Sequence, residues 1–101
     1  MAEIVLLASA KADFDAAFNW YAARSESAAT RFTEEVANAI ERAAHQPDRF
    51  GRLDTVHRQA RVKRFPFGIF YELTGTTIEI FAVLDCRQDP EAIESRLRGY
   101  E

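Results

Sequence analysis

The chain has one cysteine, Cys86, so no internal disulfide can form, and no Cys/His spacing around it would assemble a zinc site. No structural metal, bridge or cofactor is expected. Long apolar runs are also missing. The longest near the N-terminus, Ile4 to Ala8, is far too short to span a bilayer, and no basic segment with a small-residue cleavage site precedes it. A cytoplasmic protein with no membrane partner is expected. Repeats and low-complexity tracts are absent, and 101 residues suffice for one modest core and not two, so a single domain over residues 1–101 is expected. Positive charge does not dominate either: the net charge of −3 argues against a surface tuned as a whole to nucleic acid.

What is present is the composition of a folded globule, with 48% apolar and 29% charged residues. The charge is uneven. Between Arg49 and Arg64 six basic residues (Arg49, Arg52, Arg58, Arg61, Lys63, Arg64) meet one acid, Asp54, whereas the other seven basic residues face fifteen acids. Such a segment is either a solvated stretch whose arginines pair with neighbouring acids or a docking surface for an acidic partner or a phosphate backbone.

Residues Glu3 to Leu7 carry β-favouring apolar types and predict a first strand, with Ser9 as N-cap of the following helix. From Lys11 to Arg24, Phe14, Phe18 and Tyr21 with Ala17 form an i, i+4, i+7 stripe that only a helix places on one face. Trp20 lies off that stripe and is expected to be a core or hairpin-flank aromatic packed on the second helix or the sheet. Ser27 opens a second helical run with Phe32, Val36, Ile40 and Ala43, closed by His45 to Pro47. The short link between the two predicts an antiparallel helical hairpin.

A polar and basic loop from Asp48 to Arg58 follows, and then the period changes to two. Ala60 to Phe65, Ile69 to Leu73 and Thr77 to Leu84 read as three strands. In the last, Ile78, Ile80, Ala82 and Leu84 alternate against Glu79, Phe81 and Val83. Pro66-Phe67-Gly68 and Thr74-Gly75-Thr76 punctuate them, which predicts an antiparallel meander. Asp89 as N-cap, Pro90 in the first turn and Ile93, Leu97 and Tyr100 at helical spacing complete a short C-terminal helix. The order is that of an α+β fold in which a helical hairpin covers one face of a mostly antiparallel sheet.

Several stretches carry a family resemblance. Arg61-Val-Lys-Arg-Phe-Pro-Phe-Gly-Ile-Phe-Tyr-Glu-Leu resembles the ParE-type pattern of an arginine, a Phe-Pro-Tyr and an apolar strand bearing a tyrosine, with Phe67 and Tyr71 in place. Ile80-Phe-Ala-Val-Leu-Asp-Cys-Arg-Gln-Asp-Pro is similar to that family's strand leading into Arg-Arg-Asp-Pro, although Gln88 departs from the second arginine, and Arg96 matches a further arginine in the last helix. Asp13, Phe14, Tyr21, the Ala28 to Phe32 segment and Pro47 fit the first half of the pattern. The chain thus resembles the RelE/ParE toxin superfamily, in its ParE-like (plasmid stabilisation) branch. The resemblance implies the toxin of a bacterial type II toxin–antitoxin system, held by a cognate antitoxin that is expected over the helical hairpin and the exposed sheet surfaces.

Two activities occur in that superfamily. RelE-like members cut messenger RNA on the ribosome, and ParE-like members bind and block DNA gyrase without chemistry of their own. Metal-free RNA cleavage needs a base, an acid and cations around the phosphorane. Arg61 and Arg87 match basic positions of the RelE-like cluster, and Arg64 or Lys63 would add charge. However, Gly68 stands where the strand arginine of the ribonucleases would sit, Ile93 stands roughly at their tyrosine, and Tyr100 is spaced to pack. His57 beside the basic segment is more simply a solvated loop histidine than an acid or base. The resemblance therefore favours gyrase inhibition, with Arg58, Arg61, Lys63, Arg64, Arg87, Arg96 and Trp20 as target- or partner-binding residues. If the chain were a ribonuclease, Arg61, Arg64 and Arg87 would carry it. A homologue that only binds its antitoxin is a third reading, and direct nucleic-acid binding stays open.

Overall fold

A computed structural model describes residues 1–48 and 57–100, and of Tyr100 only its backbone. Along the chain come β1 (Glu3–Leu6), α1 (Ala8–Ala22), α2 (Glu26–His45), β2 (His57–Arg61), β3 (Phe67–Thr74), β4 (Thr77–Asp85) and α3 (Pro90–Tyr100). The element order is the expected one. The sheet runs β1-β4-β3-β2, with β2, β3 and β4 an antiparallel meander and β1 added in parallel beside β4. A parallel neighbour needs a long crossover, and the helical hairpin supplies it.

The hairpin covers one sheet face. Phe32, Val36, Ala39 and Ala43 of α2 bury against Ile69, Tyr71, Ile78, Ile80 and Val83. The opposite face carries Phe70, Phe81, Ala82 and Leu84, over which α3 lays Leu97 and Ile93. β4 serves both cores, and a bulge makes that possible. Phe70 pairs with Ala82 while Tyr71 pairs with Ile80, so Phe81 is an extra residue in β4. Regular alternation would keep Ile78, Ile80, Ala82 and Leu84 together. Instead Ile78 and Ile80 face the hairpin, Ala82 and Leu84 face α3, and Val83 returns to the hairpin side.

Other boundaries also move. Ser9 is not an N-cap: α1 begins at Ala8, Leu7 occupies the cap, and the Ser9 hydroxyl donates to the Phe81 carbonyl at 2.7 Å. α2 begins at Glu26, one residue before Ser27, and Ser25 caps it, its Oγ accepting from the Ala28 amide at 3.2 Å. β2 starts at His57 and ends at Arg61 rather than running from Ala60 to Phe65, because the Val62 amide bonds the Phe67 carbonyl and closes a turn that holds Lys63 to Pro66. Arg64 within that turn has a φ of 71°. His57 is thus a buried strand residue whose ring meets that of Phe81 at 5.2 Å, not a solvated loop histidine. The loop expected from Asp48 to Arg58, with Arg49 and Arg52, lies mostly outside the described residues. Asp89 caps α3 as expected, its carboxylate accepting from the Glu91 amide at 3.0 Å.

Tyr71 ties β3 to the end of the hairpin. Its phenol donates to the Pro47 carbonyl at 2.7 Å, and burial pushes its pKa up to about 12. Because the folded value lies above the unfolded one of 10.0, the contribution of the neutral phenol is complete below pH 10 and is lost as pH rises through 12. A titration followed by tyrosinate absorbance should show one phenol ionising near pH 12. The unfolding midpoint should fall across the same window, and Tyr71→Phe should flatten that fall.

Candidate recognition cleft

Beyond Leu6, β4 has no further strand on its β1 side among the described residues, and α1 takes that place. Ser9 and Asp13, one helical turn apart, present a hydroxyl and a carboxylate to the β4 backbone: Ser9 to the Phe81 carbonyl, and Asp13 Oδ2 as acceptor for the Val83 amide at 3.1 Å. Two side chains thus continue the ladder that β1 leaves off. Asp13 also receives both terminal nitrogens of Arg96 from α3, at 3.1 and 2.9 Å. One carboxylate therefore joins α1, β4 and α3.

Beside this junction α1, β4 and α3 enclose a cleft of about 460 Å³. Ala16, Ala17, Trp20, Tyr21, Phe67 and Leu84 give it apolar walls, and Asp13, Asp85, Arg87, Gln88 and Arg96 give it polar ones. Arg87 is set by Asp85. Its Nε and one terminal nitrogen reach the two carboxylate oxygens at 3.1 and 2.7 Å, and its backbone amide donates to Oδ1 at 2.9 Å. The fork holds the Asp85 carboxyl below its ordinary pKa. Burial raises the pKa of the Tyr21 phenol, which feels Arg87 and Asp85.

Trp20 does not pack into the hairpin as its sequence position predicted. Being off the buried stripe, it turns outward and is 53% exposed. Its ring stands edge-on to Tyr21 at 5.1 Å and carries the Arg24 guanidinium 3.7 Å from its centre, while Arg24 donates to the Trp20 carbonyl at 2.8 Å.

Of the residues singled out from sequence, Trp20, Arg87 and Arg96 thus share one cleft. The others lie elsewhere. Arg58 sits on β2 and donates to the Asp48 carbonyl at 3.0 Å. Arg61 ends β2 opposite Gly68. Lys63 and Arg64 line a separate groove of about 580 Å³ against α2, where Arg64 approaches Glu35 at 3.9 Å. The register puts Arg61, Gly68 and Leu84 side by side on three neighbouring strands, so Arg61 and Arg87 lie towards the same end of the sheet, two strand spacings of about 4.8 Å apart or more.

A side chain at Gly68 would require the Gln59 side chain to move. A Cβ there would fall 2.6 Å from Gln59 Nε2 and 3.0 Å from Cys86 Sγ, and the Gln59–Cys86 contact at 2.9 Å fills the space. Burial raises the Cys86 thiol pKa and keeps it in its neutral form. Ile93 packs beneath α3. Asp13, Tyr21 and Asp85 were not among the site residues read from sequence. For Asp85 a local signal existed, the Asp-x-Arg spacing at a strand end; for Asp13 the partners lie 70 and 83 residues away, beyond any local pattern.

Residues 4–90 match the family described as the ParE toxin of the type II toxin–antitoxin system, parDE. The chain belongs to the ParE toxin family. A solved structure titled "Chromosomal ParDE TA system from P. aeruginosa" superposes with a TM-score of 0.71 at 21% identity, over 82% of this chain and 94% of that one. At that identity the likeness is one of fold. No curated protein matches the sequence. Membership in a two-component system brings an antitoxin with it as partner. Among the described residues no helix is long and apolar enough to cross a membrane.

Proposed function

We propose that this ParE-family toxin acts as one domain, in the cytoplasm, by binding DNA gyrase and blocking it, and that its cognate antitoxin competes for the same cleft. The observation that carries this reading is the Trp20 platform beside Arg87 and Arg96. Tryptophan, tyrosine and arginine are the residues that most often dominate binding energy at protein interfaces. Here both arginines are pre-set by carboxylates, which lowers the cost of ordering them against a partner. Reaction chemistry has weaker support. Arg64 lies in the groove against α2, apart from Arg87, His57 is buried, and Gly68 supplies no cation. Arg58, Arg61, Lys63 and Arg64 are then a second contact region for the acidic surface of a partner.

The test is inhibition of gyrase supercoiling by the purified chain, alongside cleavage of ribosome-bound messages. Inhibition with intact messages is expected. Trp20→Ala and Arg87→Glu should each weaken it about 10- to 100-fold, as hot-spot truncations do. Message cleavage with unaffected gyrase would overturn the proposal, and normal growth on expression without antitoxin would leave only the antitoxin-binding role.

A further inference from the structure

The large apolar side chains that stay exposed among the described residues are Met1, Trp20 and three neighbours in one strand, Ile4, Val5 and Leu6, at 42, 39 and 47%. Trp20 belongs to the cleft above; the other cluster has no role there. β1 is an edge strand whose inner side bonds β4. The Glu3 amide donates to the Thr76 carbonyl at 2.8 Å and the Leu7 amide to the Ile80 carbonyl at 3.0 Å. In a parallel ladder the bonding residues of one strand alternate, so Glu3, Val5 and Leu7 face β4, and the backbone groups of Ile4 and Leu6 point away from it. Proteins usually blunt such an edge with lysine, proline or a bulge. Between Glu3 and Leu6 this strand has none of these.

We infer that the outer edge of β1 pairs antiparallel with β1 of a second copy of this chain, about a two-fold axis through Val5. The sequence fits that symmetry. With Val5 opposite its own mate, Ile4 falls opposite the mate's Leu6, and both have outward-pointing amides and carbonyls. Each Ile4–Leu6 pair then exchanges two hydrogen bonds, as residues of a closely bonded antiparallel pair do. A centre on Ile4 would instead set Leu6 against Ala2, whose amide already donates to the Ala44 carbonyl at 2.8 Å. The Val5 register also sets Glu3 beside Leu7, so no like charges face each other. Ile4 and Leu6 lie on the face of their β4 neighbours Ile78 and Ile80. Their mates would extend the hairpin-side core across the axis. This is an isologous contact, closed by its own symmetry. An interface centred on one short strand falls below the roughly 1,600 Å² of a standard complex, so the dimer is concentration-dependent.

The mass of the purified chain, followed by light scattering or sedimentation from the micromolar to the millimolar range, should rise from 11.5 kDa towards twice that value. Val5→Lys sets two like-charged side chains directly opposite each other, on Cα atoms about 4.5 Å apart across the axis, and should weaken association about 100-fold, as should Val5→Glu. An equimolar mixture of the two variants should dimerise again. Independently of any variant, amide exchange at Ile4 and Leu6 should slow as concentration rises, and that at Val5 should not change. A chain that stays monomeric throughout overturns the inference, and so does a dimer indifferent to Val5→Lys. Protection of Ile4 and Leu6 that needs bound antitoxin would give the edge to that partner and equally overturn it.

Discussion

Replacing Phe32 with alanine is expected to cost about 3–5 kcal/mol of folding free energy, the range for emptying a buried phenylalanine site. Phe32 is fully buried, and its ring centre lies 5.1 Å from those of Tyr21 and Phe67, 5.2 Å from Phe65 and 5.6 Å from Phe14. These rings come from α1, the β2–β3 turn and β3, so no single element can move in to fill the void. A small domain has only about 5–15 kcal/mol in hand, so a large part of the molecule's stability goes with one side chain. Chemical denaturation checks it: the midpoint should drop sharply with an unchanged slope. A loss under about 1 kcal/mol would mean that the five rings do not form one packed unit. Tyr21 also walls the cleft, so partner binding should weaken in the same variant even where it remains folded.

Asp13→Ala comes next in size, at about 1–3 kcal/mol, because it strands a donor. The Val83 amide would lose its acceptor at a place where no strand can supply another, and Arg96 would lose both of its carboxylate bonds. Asp13→Asn separates the two effects. The amide oxygen can still accept from Val83, so the asparagine variant should recover more than half of the loss while α3 remains less firmly held. Amide exchange at Val83 and in α3 reads the two outcomes separately; if both variants lose equally, the ion pair and not the backbone bond carries the stability.

The periodicity of the sequence revealed the hairpin and the meander because each element has one strongly preferred burial face: Phe32, Val36 and Ala43 on α2, Ile69 and Tyr71 on β3. Where an element serves two faces, or none, pattern fails. β4 changes phase at Phe81, and nothing in the residue types from Thr77 to Asp85 announces the extra residue. β2, His-Arg-Gln-Ala-Arg, shows no apolar alternation, so its start reads as loop although His57 is buried. The cleft was half legible. Arg87 and Arg96 stand out by family pattern and Trp20 by type, whereas the acids that position the arginines do so through contacts made only after folding. Ser9 illustrates the same limit: a serine before a helical run reads as a cap, and only the end of β1 beside β4 gives its hydroxyl a different acceptor.

The bulge at Phe81 has a consequence for how relatives of this chain should be compared. Parity along β4 carries opposite meanings on its two sides: before Phe81 the even-numbered residues look towards the hairpin, and after it they look towards α3. A homologue with one residue fewer in this strand would have to exchange its bulky and small positions downstream, or surrender the seat of its last helix. Substitution patterns in the two halves of the strand should accordingly drift under separate constraints, as if they belonged to different elements.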